Sequence, residues 1–273
     1  MNRVESVETI RNRIAEIRAN GRGFVTNFYL DEFKHGIWIQ KMSLYYEMVG
    51  NTMFLIKISD TFWNVFYCSS CMEVLEEDLR VFSNMHEENT LMFDVVGRGV
   101  QCEPILKLFS MCAYYVATSL VRMNRKTETT EYSEDSTIVE ATEEDVEVIY
   151  DFLHQYFNEK TEQIPYLEEL KTYQRQRHIL TCREDGKMAG FLIYEMNAST
   201  LYLRYWFTHP NYRDKKVGSR LLRRFFEDGK DTKRQLFWVI RSNENAIKRY
   251  LHYGFKEEDM FDYVLTNKKN VIQ

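Results

Sequence analysis

Several features that would define other protein classes are scarce or missing in this sequence. Three prolines and eleven glycines in 273 residues exclude a collagen-like or low-complexity chain. The uncharged stretch from Phe109 to Val121 contains serine and threonine and is far shorter than the about 20 apolar residues of a membrane-spanning helix. The first residues, Met-Asn-Arg-Val-Glu-Ser, lack the apolar core of a signal peptide. We therefore expect a cytoplasmic protein without a membrane partner.

Cysteine is also sparse. The five cysteines are odd in number, and so few in a chain of this length exclude a disulfide scaffold. Cys68-Ser-Ser-Cys71 is a single CxxC pair, whereas a zinc or redox site needs further ligands, and His86 and Cys102 do not stand at a spacing that would pair them with it. The sequence therefore predicts ordinary thiols, a reducing compartment and no metal site.

The composition is that of a folded protein with a core. The chain is 44% hydrophobic and 28% charged, and its net charge of −5 argues against a general nucleic-acid binder. The polar, acidic stretch 127–136 contains no aliphatic residue and is typical of a linker. We predict an N-terminal α/β domain at 1–126, this linker, and a second domain at 137–273.

The second domain shows a clear order of secondary structure. Thr142 is followed by three acidic residues and a helical repeat of apolar residues, which predicts a capped helix. Asp185-Gly186 lies between two apolar runs, as in a tight β-hairpin. Together with the later segments the pattern predicts the order β-α-α-β-β-β-α-β-α-β, which is the α/β class with a mixed sheet. The segments are strands at 138–139, 179–182, 188–194, 201–208 and 236–240 and up to about 265, and helices at 142–157, 166–173, 217–229 and 244–253.

A basic loop follows the strand at 201–208. Seven cations and one acid lie between Arg204 and Arg224, within a chain that is acidic as a whole. A strand, a short glycine-containing basic loop and a helix start present backbone N–H groups to a phosphate. The sequence therefore predicts a site for a small polyanion at the helix that begins near Val217, although a solvated basic helix face is the alternative.

Two motifs in this half resemble those of the GCN5-related N-acetyltransferase (GNAT) family. Arg213-Asp-Lys-Lys216-Val-Gly218 is similar to the Arg/Gln-x-x-Gly-x-Gly/Ala loop that binds the diphosphate of acetyl-CoA, with Lys216 in place of the first glycine. Asn243-Glu-Asn-Ala246 and Tyr250-Leu-His-Tyr-Gly254-Phe255 are similar to the later motif of the family. The resemblance covers residues 137–266. At a position with positive φ, Lys216 would cost about 1–2 kcal/mol, or it would add a cation beside the phosphates.

The resemblance implies acetyl-CoA as the cofactor, CoA as a product and a small-molecule or peptide amine as the acceptor. It also implies that the strand before the loop supplies a backbone N–H to the oxyanion and that Tyr250 protonates the departing thiolate, although a core tyrosine is the alternative. The implied cofactor-binding residues are Tyr205, Trp206, Phe207, Arg213, Lys215, Lys216, Val217, Gly218, Ser219, Arg220, Asn243 and Ala246.

The base is less clear from the sequence. An amine with a reference pKa of about 10.4 is protonated at pH 7, so a base must remove a proton before attack. Many relatives carry a glutamate on the strand before the loop, but here Leu201–Thr208 has none. Glu195 is the first candidate and His209 the second, with a solvated strand end and an orienting role as their alternatives. The acceptor is expected at residues 165–173.

The first half contains a weak internal repeat of the second. Phe109-Ser-Met-Cys-Ala-Tyr114 resembles Tyr250-Leu-His-Tyr-Gly-Phe255, which suggests a degenerate second GNAT-like fold in which Phe109 lacks the tyrosine hydroxyl. No basic loop precedes its predicted helix near Ser70, so we predict no CoA site there. Pro104 is expected to open the following helix.

Three functional hypotheses remain open at this point. The first is an acetyl-CoA-dependent N-acetyltransferase, and the second is an inactive CoA-binding or scaffolding module, which Lys216 and the missing strand glutamate would favour. The third is an acyltransferase that uses aminoacyl-tRNA, because such proteins also pair two folds of this kind. The acidic net charge disfavours this RNA-dependent hypothesis.

Overall fold

The computed structural model describes residues 1–128 and 135–271, which form two compact units. The first unit consists of residues 1–120 and those from 259 onward, and the second of residues 121–258. Residues 129–134 of the predicted linker lie outside the described residues, and the predicted boundaries at 126 and 137 stay a prediction. Both units combine helices with a sheet, which confirms the α/β class.

The helices and strands of the described residues have the following bounds. The helices are α1 (Val7–Ala19), α2 (Glu32–Gln40), α3 (Met72–Met85), α4 (Gly99–Met111), α5 (Glu143–Tyr156), α6 (Leu167–Arg175), α7 (Val217–Asp228) and α8 (Glu244–His252), with a 3-10 helix at Pro210–Lys215. The strands are β1 (Asn2–Arg3), β2 (Val25–Thr26), β3 (Leu44–Val49), β4 (Thr52–Ile58), β5 (Trp63–Ser69), β6 (Leu91–Gly97), β7 (Tyr115–Lys126), β8 (Ile138–Glu140), β9 (Ile179–Glu184), β10 (Lys187–Asn197), β11 (Thr200–Thr208), β12 (Arg234–Ile240) and β13 (Lys256–Thr266).

In the first unit the strands follow the order β1-β3-β4-β5-β6-β13, and β2 pairs with β5. β5 and β6 are parallel, while β13 runs antiparallel to β6 from Phe261 to Thr266. α3 and α4 bury large aromatic side chains against this sheet; Phe54, Phe82, Phe93 and Phe109 are fully buried. The burial of these rings supplies the main stabilisation of the unit.

One helix start in the first unit differs from the sequence prediction. α4 begins at Gly99, after the extended residue Arg98, so Pro104 lies inside the helix and not at its start. The prediction for Pro104 is therefore wrong. The helix continues because a proline one turn inside its start removes the donor of a single backbone hydrogen bond.

In the second unit the order is β12-β11-β10-β9-β8, with β11 and β12 parallel and the other pairs antiparallel. The capping box of α5 forms between Thr142 and Asp145, as its sequence predicts. Asp185 and Gly186 both adopt positive φ in the β9–β10 turn, which confirms the hairpin. α7 buries the predicted stripe of apolar residues: Val217, Leu221, Leu222, Phe225 and Phe226.

The parallel pair β11–β12 separates halfway along β11. The registered pairs run from Thr200–Arg234 to Tyr202–Leu236, although β11 continues to Thr208. On its other edge β11 pairs with β10, with Arg204 as an extra residue at a β-bulge. From Leu203 onward, the edge of β11 that faces β12 is not paired with any strand among the described residues.

The predicted internal repeat is visible at the ends of α4 and α8. The Tyr114 N–H donates to the Phe109 carbonyl at 3.0 Å, and the Phe255 N–H donates to the Tyr250 carbonyl at 3.1 Å. The residue before each aromatic has positive φ, +65° at Ala113 and +84° at Gly254. The two units therefore close their last helix with the same turn.

Candidate active site

A cavity of about 830 Å³ opens where β11 and β12 separate. Its walls come from β11, the start of α7, α8 and the end of α5. The structure brings together nine of the predicted site residues here: Trp206, Phe207, Arg213, Lys216, Gly218, Ser219, Asn243, Ala246 and Tyr250. Volumes of this size are typical of ligand and cofactor sites.

The N-terminus of α7 forms one end of the cavity. Lys216 is the N-cap residue, with φ of +56° and no side-chain cap hydrogen bond. The first-turn amides, from Val217 to Ser219, are therefore not capped by the Lys216 side chain. Arg213 and Lys216 add two cations at this end. Helix amides without a side-chain cap, the helix dipole and two cations favour an anion such as a diphosphate.

Gly218 leaves space that a side chain would fill. A Cβ at this position would lie 3.0 Å from Thr208 Oγ1 and 3.0 Å from Trp206 Cζ2. Glycine at residue 218 therefore lets the helix start lie close to Trp206 and Thr208, and the exposed backbone there fits an anionic group at the helix start.

Trp206 presents two donors at the divergence of the strands. Its indole Nε1 is buried and has no hydrogen-bond partner among the described residues. Two contacts show which residues of this segment direct their backbone polar groups toward β10: the His209 N–H donates to the Ala189 carbonyl, and a Cβ on Gly190 would meet the Phe207 carbonyl. Because the backbone groups of successive residues in a strand point to opposite edges, the Trp206 N–H points away from β10. The Trp206 backbone N–H therefore faces the open edge of β11.

Tyr250 lies on the opposite wall, on α8. Its ring packs against Phe237 at a centroid distance of 4.4 Å and against Trp206 at 5.7 Å. Burial raises the pKa of the Tyr250 phenol to about 12, while the nearby Arg249 guanidinium opposes the shift. The phenol is therefore protonated throughout the neutral range.

Two further contacts order the α8 and α7 walls. Asn243 caps α8 by accepting the Ala246 N–H at 3.1 Å. The Tyr253 hydroxyl donates a hydrogen bond to Ser219 Oγ at 2.7 Å. Asn243 and Ser219 thus hold the backbone of the cavity in place, and both line it.

Four predicted cofactor-binding side chains lie away from the cavity. Arg220 forms ion pairs with Asp135 at 2.9 Å and Glu184 at 2.7 Å, which occupy its guanidinium. The Val217 side chain is fully buried in the core, and Lys215 does not line the cavity. The Tyr205 hydroxyl donates to backbone carbonyls of the segment after α5. Their assignment as cofactor ligands remains a prediction from the sequence.

Neither base candidate lines the cavity that contains Tyr250. Glu195 accepts a hydrogen bond from the Tyr173 hydroxyl at 2.6 Å and lies 3.4 Å from Arg204 Nε. It pairs with Tyr202, before β11 reaches the cavity, and it does not line the cavity. His209 Nδ1 accepts the Asn211 N–H at 3.3 Å, so this nitrogen orients the loop.

The end of α5 supplies a wall that the sequence analysis did not predict. Tyr156 and Phe157 line the cavity beside Phe207, and the rings of Tyr156 and Phe207 are 4.8 Å apart. The helical spacing of these residues was interpreted only as core packing. Two adjacent aromatic residues at a helix end were the available signal.

The corresponding region of the first unit is filled by its own chain. Here β5 and β6 pair only at Trp63–Leu91 and Asn64–Met92. β2 pairs with the end of β5, at Cys68 and Ser69. Beside it, Asn27 Oδ1 accepts the Tyr67 N–H at 2.7 Å and Asn27 Nδ2 donates to the Asp94 carbonyl at 2.9 Å. Residues 25–27 therefore cover part of the edge of β5 that corresponds to the unpaired edge of β11.

The described residues show neither a membrane-spanning helix nor a metal-binding cluster. None of the described helices has both the length and the apolarity to cross a membrane. No cluster of His, Cys, Asp and Glu side chains in residues 1–128 and 135–271 is arranged to hold a metal ion. The five cysteines are free thiols.

One family model matches part of the second unit. The family model described as "Acetyltransferase (GNAT) family" matches residues 146–255. None of the curated proteins matches the sequence. The matched range contains the cavity, Tyr250 and the loop before α7.

Solved structures share the fold at low identity. The GCN5-related N-acetyltransferase from Sphaerobacter thermophilus is 13% identical, with a TM-score of 0.58 over 79% of this chain and 75% of that chain. The GCN5-related N-acetyltransferase from Kribbella flavida is 13% identical, with a TM-score of 0.55 over 93% and 94%. A tandem GNAT protein from the clavulanic acid biosynthesis pathway is 11% identical, with a TM-score of 0.57 over 96% and 94%. The fold likeness thus extends to the first unit.

Proposed function

We propose that the protein is an N-acetyltransferase that transfers the acetyl group of acetyl-CoA to a primary amine, because the acetyltransferase (GNAT) family model matches residues 146–255. The acceptor is a small molecule or a peptide. One observation carries the proposal: a single cavity has an uncapped, cationic helix start at one end and a protonated tyrosine on its wall.

The proposed cofactor site uses the residues at the start of α7. The amides of Val217, Gly218 and Ser219, together with Arg213 and Lys216, would bind the diphosphate. Bound acetyl-CoA supplies an acyl group as a thioester. The orphaned Trp206 Nε1 provides a further donor inside the same cavity.

Trp206 would also stabilise the charge that develops during attack. Its backbone N–H faces the open edge of β11, where a carbonyl oxygen held in the cavity would accept a hydrogen bond. A fixed N–H aimed at a developing oxyanion is worth about 10²–10³ in rate. Because the strand holds this amide rigidly, the donor is oriented before the reaction.

Tyr250 would donate the proton that the departing sulfur needs. Its pKa of about 12 keeps the phenol protonated at neutral pH. A CoA thiol is a stronger acid than this phenol, so Tyr250 stabilises the leaving sulfur by a hydrogen bond. Its proton moves to the sulfur together with transfer of the surplus proton of the newly bonded nitrogen to the phenol oxygen.

The test is release of free thiol from acetyl-CoA by the full-length protein with a panel of primary amines. We expect saturable turnover in the absence of RNA, and a loss of about 100-fold in kcat in Tyr250→Phe with unchanged CoA affinity by calorimetry. Tyr263→Phe, outside the cavity, is the matched control. Thermal stabilisation by CoA without turnover of any amine would instead support the inactive binding module, and turnover that requires aminoacyl-tRNA would support the RNA-dependent hypothesis.

A further inference from the structure

A turn after α5 is built around the side chain of Glu162. The Asn158 N–H donates to Glu162 Oε2 at 2.9 Å, and the Glu162 N–H donates back to the Asn158 carbonyl at 2.9 Å. The sequence analysis did not select this glutamate, because it belongs to an irregular segment with no motif. The reciprocal hydrogen bonds fix the position of its carboxylate.

The turn is attached to β11 next to the cavity. The buried Tyr205 hydroxyl lies 3.0 Å from the carbonyl of Glu162 and 2.9 Å from that of Gln163, and donates to them. Tyr205 immediately precedes Trp206, whose amide faces the cavity. The Phe157 ring, which lines the cavity, also packs on Tyr205 at 5.5 Å. The backbone of the Glu162 turn is thereby held against Tyr205, one residue before Trp206, although Glu162 is not itself among the residues that line the cavity.

Glu162 has the electrostatic character of a proton acceptor. It forms no ion pair within the described residues, and burial raises the pKa of its carboxyl above the ordinary value. The charge of Glu162 in turn helps to raise the pKa of Tyr250, so the two groups interact electrostatically. Other charges act on the neighbouring groups: Arg204 and Glu169 on Tyr205, and Arg249 on Tyr250.

We propose that the Glu162 carboxylate accepts the proton that the acceptor ammonium must lose before it attacks. This inference rests on the proposed N-acetyltransferase function. Glu162 differs from Glu195 in that a cation and a tyrosine hydroxyl already engage the Glu195 carboxylate, whereas Glu162 receives a single backbone hydrogen bond.

The protons and bonds of this step balance. The ammonium transfers one proton to the Glu162 carboxylate, and the neutral nitrogen then forms a bond to the thioester carbon as the bond from that carbon to sulfur breaks. The nitrogen still carries one proton more than an amide does. Tyr250 gives its proton to the sulfur and is restored by that surplus proton, while Glu162 releases its proton to water.

The kinetic test is Glu162→Gln, which keeps the shape of the side chain and an oxygen for the Asn158 N–H. We expect kcat at pH 7 to fall by about 100-fold with little change in the KM for acetyl-CoA. The kcat of Glu162→Gln should increase about tenfold for each unit that pH rises toward the pKa of the amine. Without the carboxylate, the ammonium loses its proton only to solvent, so the rate follows the fraction of neutral amine. Glu159→Gln, an exposed residue paired with His154 in the same segment, is the matched control.

A second readout does not depend on turnover. Because the folded state raises the pKa of Glu162, folding is penalised once pH rises above the value in the unfolded chain. The penalty is absent well below the unfolded-state value and develops as pH rises above it. Glu162→Gln should therefore match or exceed the wild-type melting temperature at pH 7, whereas loss of a merely structural carboxylate would lower it.

The two proposals fail in different ways. Absence of turnover by the wild-type protein with every amine overturns the N-acetyltransferase function itself. Wild-type turnover with unchanged kcat and pH profile in Glu162→Gln overturns the role of Glu162 alone. A variant that loses kcat together with melting temperature at pH 7 also overturns it, since Glu162 would then only hold the turn.

Discussion

The indole of Trp206 lies so close to Gly218 that a Cβ on residue 218 would be 3.0 Å from Trp206 Cζ2 and 3.2 Å from Nε1. This contact joins β11 to the first turn of α7 without filling the cavity. We expect Gly218→Ala to displace the indole or the helix start and to weaken CoA binding at least tenfold, measured by calorimetry.

A second glycine provides the control for that variant. Gly36, inside α2, has no heavy atom within 4 Å of an added Cβ. Gly36→Ala should leave CoA affinity unchanged and stabilise the helix by about 1 kcal/mol. Equal CoA affinity in wild type and Gly218→Ala would contradict the assigned position of the diphosphate.

Lys216 combines backbone strain with a favourable charge. Its φ of +56° is the left-handed conformation that favours glycine, as the sequence comparison anticipated for this position. Lys216→Gly should raise the free energy of unfolding by about 1 kcal/mol and weaken CoA binding, with a smaller salt dependence. Chemical denaturation and calorimetry at two salt concentrations measure both effects. Lys215→Ala removes a cation outside the cavity and should change neither the free energy of unfolding nor the CoA affinity. Tighter CoA binding in Lys216→Gly would show that the lysine does not contact the phosphates.

The first unit should bind no CoA, so we expect one molecule per chain. Its β5 edge is already paired with β2 and with the side chain of Asn27. Asn27→Ala should lower the free energy of unfolding by about 1–3 kcal/mol because it leaves the Tyr67 N–H without that acceptor. It should not add a second binding event. Two equivalents of bound CoA in the wild type would contradict this reasoning.

His35 should make the protein less stable in acid. Its buried Nδ1 accepts the Asp31 N–H at 2.9 Å, and burial lowers its pKa to about 4. As pH falls from about 6.5 to about 4, His35 becomes protonated in the unfolded chain but stays neutral in the folded state. This difference lowers the free energy of unfolding by about 3 kcal/mol. His35→Asn keeps an acceptor and should flatten the pH dependence of unfolding relative to wild type. His252→Asn, at an exposed position, should reproduce the wild-type curve.

Much of the second unit could be predicted because its local signals agree with its tertiary structure. The acids after Thr142, the Asp185-Gly186 turn and the apolar stripe of α7 each specify an element that forms as expected. In the first unit α2 and β3 were not recognised, since α2 mixes Gly36 with buried His35 and Trp38 and has no clean periodicity. Local patterns do not report such elements, which depend on tertiary packing.

The site could be predicted only where it follows one continuous motif. The motif around Gly218 and the helix of Tyr250 both lie at the cavity. Arg220 differs because its ion partners, Asp135 and Glu184, are far from it in sequence. Glu162 was missed for the same reason: its position depends on Tyr205, 43 residues later.

The discontinuity of the first unit has a consequence for the order of folding and for fragment design. β6 obtains its partner β13 only from the last part of the chain, and Asn267 accepts the Leu91 N–H across 176 residues. Residues 121–258 are complete earlier during synthesis. A fragment of residues 1–126 lacks β13 and would therefore expose the backbone of β6 as an unpaired sheet edge. Such an edge promotes aggregation, although the sequence of the fragment is unchanged.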